Sequence, residues 1–300
     1  MIFLLLMFAG FAAFGQGGGD LEASGVGIGD SAGPRLAVDL VGGYQRQDLR
    51  WSIAGNSLGT SPNIYSELRW KGVGGVSTGL DISWKAWKNW VVVVGGSRAW
   101  TVGGRVSDKD YGADDRRDVL YDQSFNANKG YAYALFFGLG YELRVGSCLL
   151  LTPAAGYGVS GQRLSITDES LLNSYYRTWW KGLVFRLRGE WTLGPRWGVV
   201  FSGGYRQVNY RAEGDWNLIQ TFSHPVSFRH RADGYGLEGR LGVKYKLGRA
   251  GIFLTGHYAG WTTGKGVDEL YLVSGQTSQT QLNEVVLHEL GVTAGVRFGW

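Results

Sequence analysis

The stretch that most constrains this chain is its last seventeen residues, 284–300. Val286, Leu290, Val292, Ala294, Val296, Phe298 and Trp300 share one parity, and Glu289, Gly291, Thr293, Gly295, Arg297 and Gly299 the other. Side chains along a strand alternate between its two faces. A strand that is apolar on one side, polar or tiny on the other, and aromatic at its end is what a membrane barrel presents to lipid and lumen. The expected fold class is all-β, a ten-stranded antiparallel transmembrane β-barrel of the bacterial outer membrane, with its longer loops extracellular.

The start of the chain agrees with that address. Ile2–Ala13 is an apolar run of signal-peptide length, followed by the small-x-small pattern Ala13-Phe14-Gly15, so residues 1–15 are expected to be a signal peptide cleaved near Gln16. Residues 16–33 read as a glycine-rich lead-in, and residues 34–300 as the barrel. With 50 Gly, 13 Trp, 16 Tyr and 13 Phe, glycine and aromatics exceed ordinary usage, as a barrel with two unlike faces requires. No later apolar stretch reaches the roughly 18 residues of a membrane helix. The formal charge of +5 comes from singly scattered basic residues. That scatter speaks against nucleic acid and for outer-membrane lipid or lipopolysaccharide as the anionic partner.

Ten alternating segments follow, at about 35–53, 63–85, 89–107, 127–144, 148–167, 176–192, 196–213, 228–247, 250–265 and 284–300. Tight connections at 85–89, 145–147, 193–196 and 247–249 interleave with long ones at about 54–62, 108–126, 168–175, 214–227 and 266–283. That places both termini on the tight-turn side, which barrels keep in the periplasm. Trp84, Trp87, Trp90, Trp191 and Trp197 flank the tight turns as an aromatic girdle. Asp81, Glu142, Arg144, Arg186, Arg188, Glu190, Arg206, Glu238, Arg240, Glu289 and Arg297 are expected on the inner face, paired with one another in a filled lumen. The terminal Trp300 is expected to pair beside the first strand near Val38.

Within this frame, Tyr65-Ser-Glu-Leu-Arg-Trp-Lys71 and Trp100-Thr-Val-Gly-Gly-Arg-Val-Ser-Asp108-Lys-Asp110-Tyr111 give the chain a resemblance to the omptin family of outer-membrane proteases. The resemblance implies that Asp108 and Asp110 form half of a catalytic site in which carboxylates activate water, and that the substrate is a basic peptide. It implies an Asp-x-His pair in the fourth long loop, where this chain has Asp215-Trp216-Asn217. Asp215 matches, but Asn217 stands at the expected histidine, and an amide cannot take up a proton at neutral pH. His224 and His230, in or just after the same loop, are the candidate substitutes, His224 if the loop folds back.

Without the resemblance, Asp108 and Asp110 are either a solvated acidic loop, neutralised by Arg116 and Arg117, or two carboxylates sharing one side of a strand end and raising each other's pKa. The four histidines are not at metal-ligand spacing, Cys148 has no disulfide partner, and no nucleotide-binding or serine-hydrolase motif sits in the right context. No cofactor is expected. Two classes of function therefore stand side by side. One is an omptin-like mouth whose acidic rim of Asp108, Asp110 and Asp215 draws in Arg or Lys side chains and cleaves them or merely binds them. The other is a non-enzymatic adhesin or structural barrel using loops such as 266–283, with Asp268 and Glu269, or else a narrow pore.

Overall fold

The computed structural model describes residues 34–300 apart from Glu169 and Arg249, so the expected signal peptide and lead-in lie outside the described residues. Thirteen strands follow in order: β1 Leu36–Ile53, β2 Ser66–Trp87, β3 Trp90–Ala113, β4 Arg117–Asn126, β5 Gly130–Tyr141, β6 Leu143–Val145, β7 Leu149–Thr167, β8 Asn173–Thr192, β9 Trp197–Asp215, β10 Phe228–Leu247, β11 Ala250–Thr263, β12 Gly266–Tyr271 and β13 Thr277–Gly299. β4, β5 and β6 are consecutive pieces of one stave between β3 and β7, while β12 is an added strand paired with β10 and β13 above the end of β11. The remaining order is a ring of ten antiparallel staves closed by β1 against β13. Trp300 and Leu36 exchange both backbone bonds, at 3.0 and 3.1 Å, and Phe298 is the residue beside Val38.

The outward face carries Val76, Leu80, Leu135, Phe137, Leu139, Leu183, Phe185, Leu237, Leu241, Leu254, Leu290 and Val292, all exposed, with the five girdle tryptophans exposed below them. Strands of 18 to 24 residues such as β1 and β3 exceed the roughly 10 needed to cross a bilayer, so the barrel projects beyond it on the long-loop side. On β3 the exposed apolar series ends at Val102.

Two of the expected loops are largely strand. In 108–126, β3 runs on to Ala113 and β4 begins at Arg117, leaving a turn at 114–116. In 266–283, β12 and the start of β13 form a second hairpin.

The lumen is filled in two layers. On the tight-turn side a cavity of about 700 Å³ is lined by every charged residue expected on the inner face except Arg144, joined by Asp39, Lys85, Lys244 and His257. Most of these charges are in ion pairs, Asp81 and Arg240 excepted: Arg297 and Arg188 with Asp39 and Glu190, Lys244 with Glu190, Arg186 and Arg206 with Glu238, Lys85 with Glu142, and His257 with Glu289. Above them the filler is apolar, which charge patterning had not indicated. Trp51, Trp70, Tyr176, Trp180, Tyr210, Phe228, Trp261, Leu282 and Leu287 form one buried cluster. Trp51 on β1 and Tyr176 on β8 belong to diametrically opposite staves, and their rings meet at 5.8 Å, while Trp70 stacks on Tyr176 at 5.4 Å.

Candidate functional site

The facing of Asp108 and Asp110 is set by a register slip. Low on β3 the odd residues Val91 and Ala99 are buried against the lumen and the even residues Val94 and Trp100 are exposed. The β2–β3 register then jumps, with Gly75 opposite Thr101, Gly74 opposite Gly103 and Lys71 opposite Arg105. A bulge of this kind inserts a residue and inverts the alternation. Gly104 sits in it at φ +150°, where a Cβ would come within 2.9 Å of the Ala127 carbonyl and 3.0 Å of Val73 Cα. Beyond the slip the even residues face inward, beginning with the buried Val106 and continuing with the half-buried Asp108 and Asp110.

Both carboxylates lie above the apolar band, beside Gln123 and Tyr121 of β4, with Ser66 of β2 opposite Asp110. Burial, and then the neighbouring Asp110 carboxylate, push Asp108 up to about 7. Burial also raises Asp110, opposed by a hydrogen bond from Ser66. The pair therefore tends to hold a proton near neutral pH, as two carboxyls sharing a partly dry site do.

The fourth long loop, 216–227, folds back on β9. His224 donates from Nδ1 to Asp215 Oδ1 at 2.6 Å and from Nε2 to the Ile219 carbonyl at 3.3 Å. The bond to Asp215 raises the His224 pKa, with the Ile219 carbonyl adding to it against burial. The raised pKa favours the protonated ring, in which both nitrogens can donate. Asn217, at the position where the omptin resemblance implies a histidine, is a clamp between loops. Its Oδ1 accepts from Asn173 N and Ser174 Oγ at 3.0 and 2.9 Å, and its Nδ2 donates to the Leu171 carbonyl at 2.9 Å.

The two halves do not meet. Tyr210, Ala212 and Gly214 of β9 are buried toward the lumen and Trp216 packs on Phe228 of the inner cluster, so Asp215 falls on the opposite, outer face. There it pairs in register with Tyr175, whose ring lies under Arg163 and Arg177 and whose hydroxyl donates to the Pro225 carbonyl. Among the described residues no hydrogen bond, ion pair or ring contact joins Asp108 or Asp110 to Asp215 or His224.

His230, the other candidate substitute, is wholly buried in the inner cluster. Its Nδ1 bonds the Tyr176 hydroxyl at 2.7 Å, that hydroxyl bonds Tyr210 at 2.8 Å, and Nε2 lies 3.1 Å from Asp268 Oδ1. Asp268, which the sequence reading assigned to a partner-binding loop, accepts from Thr280 Oγ1 at 2.9 Å and is buried. His230 shares the inward parity of Phe228, the only sequence signal that could have placed it. No group of His, Cys, Asp and Glu among the described residues is arranged to hold a metal.

Comparison with known proteins bears on the fold. The description "Pom: Protochlamydia outer membrane protein" matches over residues 39–299. The outer membrane protease OmpT from Escherichia coli superposes with a TM-score of 0.70 at 14% identity, covering 88% of this chain and 96% of that one. The translocator domain of the autotransporter NalP from Neisseria meningitidis gives 0.37 at 12% identity, covering 88% of each chain. The outer membrane protein OprG from Pseudomonas aeruginosa gives 0.35 at 15%, covering 91% of this chain and 99% of its own. No curated protein matches in sequence.

Proposed function

The chain belongs to the Protochlamydia outer membrane protein family, and from that premise we propose a surface barrel that does not conduct and that binds basic peptides at its outer mouth through Asp108 and Asp110. The observation that carries this reading is the contact between Trp51 and Tyr176 at 5.8 Å, made by opposite staves across the lumen. It leaves the projecting rim, not a passage, as the working surface. At that rim the inward carboxylates attract cationic side chains. Contact with anionic lipid or lipopolysaccharide is proposed for the outer wall, where Arg211 and Arg231 stand directly opposite each other, with Lys181 and Arg229 nearby. Like charges opposed across a strand pair are relieved by a bound anion.

A second reading, cleavage of the bound peptide, draws on the raised Asp108, which can pass a proton near neutral pH beside a second carboxylate. This reading does not use His224, which pairs with Asp215 on the outer face.

Reconstituted full-length barrel would be titrated with a fluorescent Arg-Arg peptide. Wild type should bind more tightly as pH rises through about 7, where Asp108 ionises. Asp108→Asn with Asp110→Asn should weaken binding by about tenfold and remove that pH dependence. Equal affinity in the double variant overturns the reading. Cleavage that the double variant abolishes would establish the peptidase, and steady single-channel conductance by wild type would refute the closed lumen.

A further inference from the structure

The stave next to the acidic pair is left open on one side. β4 pairs with β3 from Arg105 opposite Asn126 to Ala113 opposite Arg117. On its other edge it meets β7 at a single position, Asn126 opposite Thr167, where β7 ends. Residues 117–125 thus rise above the β7–β8 hairpin with one edge of backbone donors and acceptors unpartnered by any strand among the described residues. At about 3.3 Å per residue that is about 30 Å of open edge.

Sheet proteins blunt such edges with lysine, proline, bulges or a covering segment, because a bare edge templates another strand. Arg117-Asp-Val-Leu-Tyr-Asp-Gln-Ser-Phe125 contains no lysine and no proline, and its one bulge, at Leu120, leaves Tyr121–Phe125 in regular register with β3. Every residue in it but Phe125 is exposed, with Val119 at 56% and Leu120 at 63%. The edge has the chemistry of a docking strand.

We propose that the free edge of β4 takes a basic, extended peptide as an added strand, laid along residues 117–125 with alternate side chains turned toward Asp108 and Asp110. Strands lie about 4.8 Å apart, so an added strand runs about 10 Å from the β3 backbone, within reach of an Arg leaning over Tyr121 toward the two carboxylates. Asp118 adds negative charge along the edge itself, while Asp122 is paired with Lys109 at 2.7 Å. The same acids disfavour a second copy of this chain. Pairing the apolar Val119–Tyr121 segment antiparallel with itself sets Asp118 opposite the other copy's Asp122, and like charges directly opposed are destabilising. The inference rests on the reading of the mouth as a peptide site, but backbone pairing and charge attraction separate in the test.

The probe is a short peptide of alternating Arg and Val, long enough to cover residues 117–125, with two further versions N-methylated at odd or at even backbone nitrogens. Charge and side chains are unchanged by methylation, while one series loses the donors that face β4. Binding to reconstituted full-length barrel should fall about tenfold or more for one series and little for the other. Leu120→Pro, checked for normal heat-modifiability, should weaken the parent peptide to the same extent. Equal binding of all three peptides, still sensitive to Asp108→Asn with Asp110→Asn, overturns edge pairing and leaves the acidic mouth standing. Methylation-sensitive binding indifferent to those aspartates keeps the edge and refutes the mouth reading. Self-association of the barrel that Leu120→Pro abolishes assigns the edge to a second copy and overturns the proposal, and absence of binding by any peptide overturns both readings.

Discussion

His224 shows how a loop that folds back brings an imidazole to Asp215 from outside the expected Asp-x-His spacing. Its two N–H groups are both committed, to Asp215 and to the Ile219 carbonyl, so it pins loop 216–227 to the end of β9. The sign of the linkage follows from the raised pKa. The stabilisation is fully present below the ordinary histidine value of about 6.5 and is lost as pH rises through the higher folded value. Protease nicking within 216–227 is therefore expected to accelerate as pH is taken above neutrality. His224→Gln, which keeps one donor and cannot titrate, should flatten that profile; a wild-type rate flat from pH 6 to pH 9 would contradict the pin. At this scale the sequence was half legible. It offered His224 and His230 alike as substitutes if the loop folds back, but the face on which Asp215 sits depends on β9 alternation as fixed by Trp216 packing on Phe228.

Among the elements, the slip between β2 and β3 decides what the mouth contains. Gly104→Ala puts a Cβ against the Ala127 carbonyl at 2.9 Å, in a backbone conformation that L side chains rarely adopt. The variant is expected to insert and close, since the slip lies at the upper edge of the apolar band, but to turn Asp108 away from the lumen and lose most peptide binding. Binding unchanged in a properly heat-modifiable Gly104→Ala barrel would sink the assignment. The membrane-spanning parts of all ten staves were readable from alternation, because lipid and lumen demand unlike residues on the two faces. The projecting hairpins at 108–126 and 266–283 read as loops for the complementary reason. Where water bathes the outer face, as along Arg117–Gln123, polar residues are tolerated on both sides and the period of two disappears.

For the molecule as a whole, the apolar layer fills the lumen between the projecting rim and the charged chamber. Removing both rings of its cross-lumen contact, Trp51→Ala with Tyr176→Ala, should cost about 3–5 kcal/mol for each ring and open a path from the mouth to the charged chamber. Planar-bilayer recordings of that variant should show conductance above that of wild type; silence from a folded double variant would mean that the remaining Trp70, Trp180 and Tyr210 suffice as a seal. The layer also times the birth of the barrel. Trp84, Trp87, Trp90, Trp191 and Trp197 face outward and reach lipid as the staves insert, whereas Trp51 and Trp70 become dry only when β1 and β2 come to face β8. If the staves insert before the ring closes, assembly is expected to give two successive signals in the protein's own fluorescence. Quenching by brominated acyl chains marks insertion, a later blue shift immune to that quencher marks closure, and the interval between them is the lifetime of the open sheet.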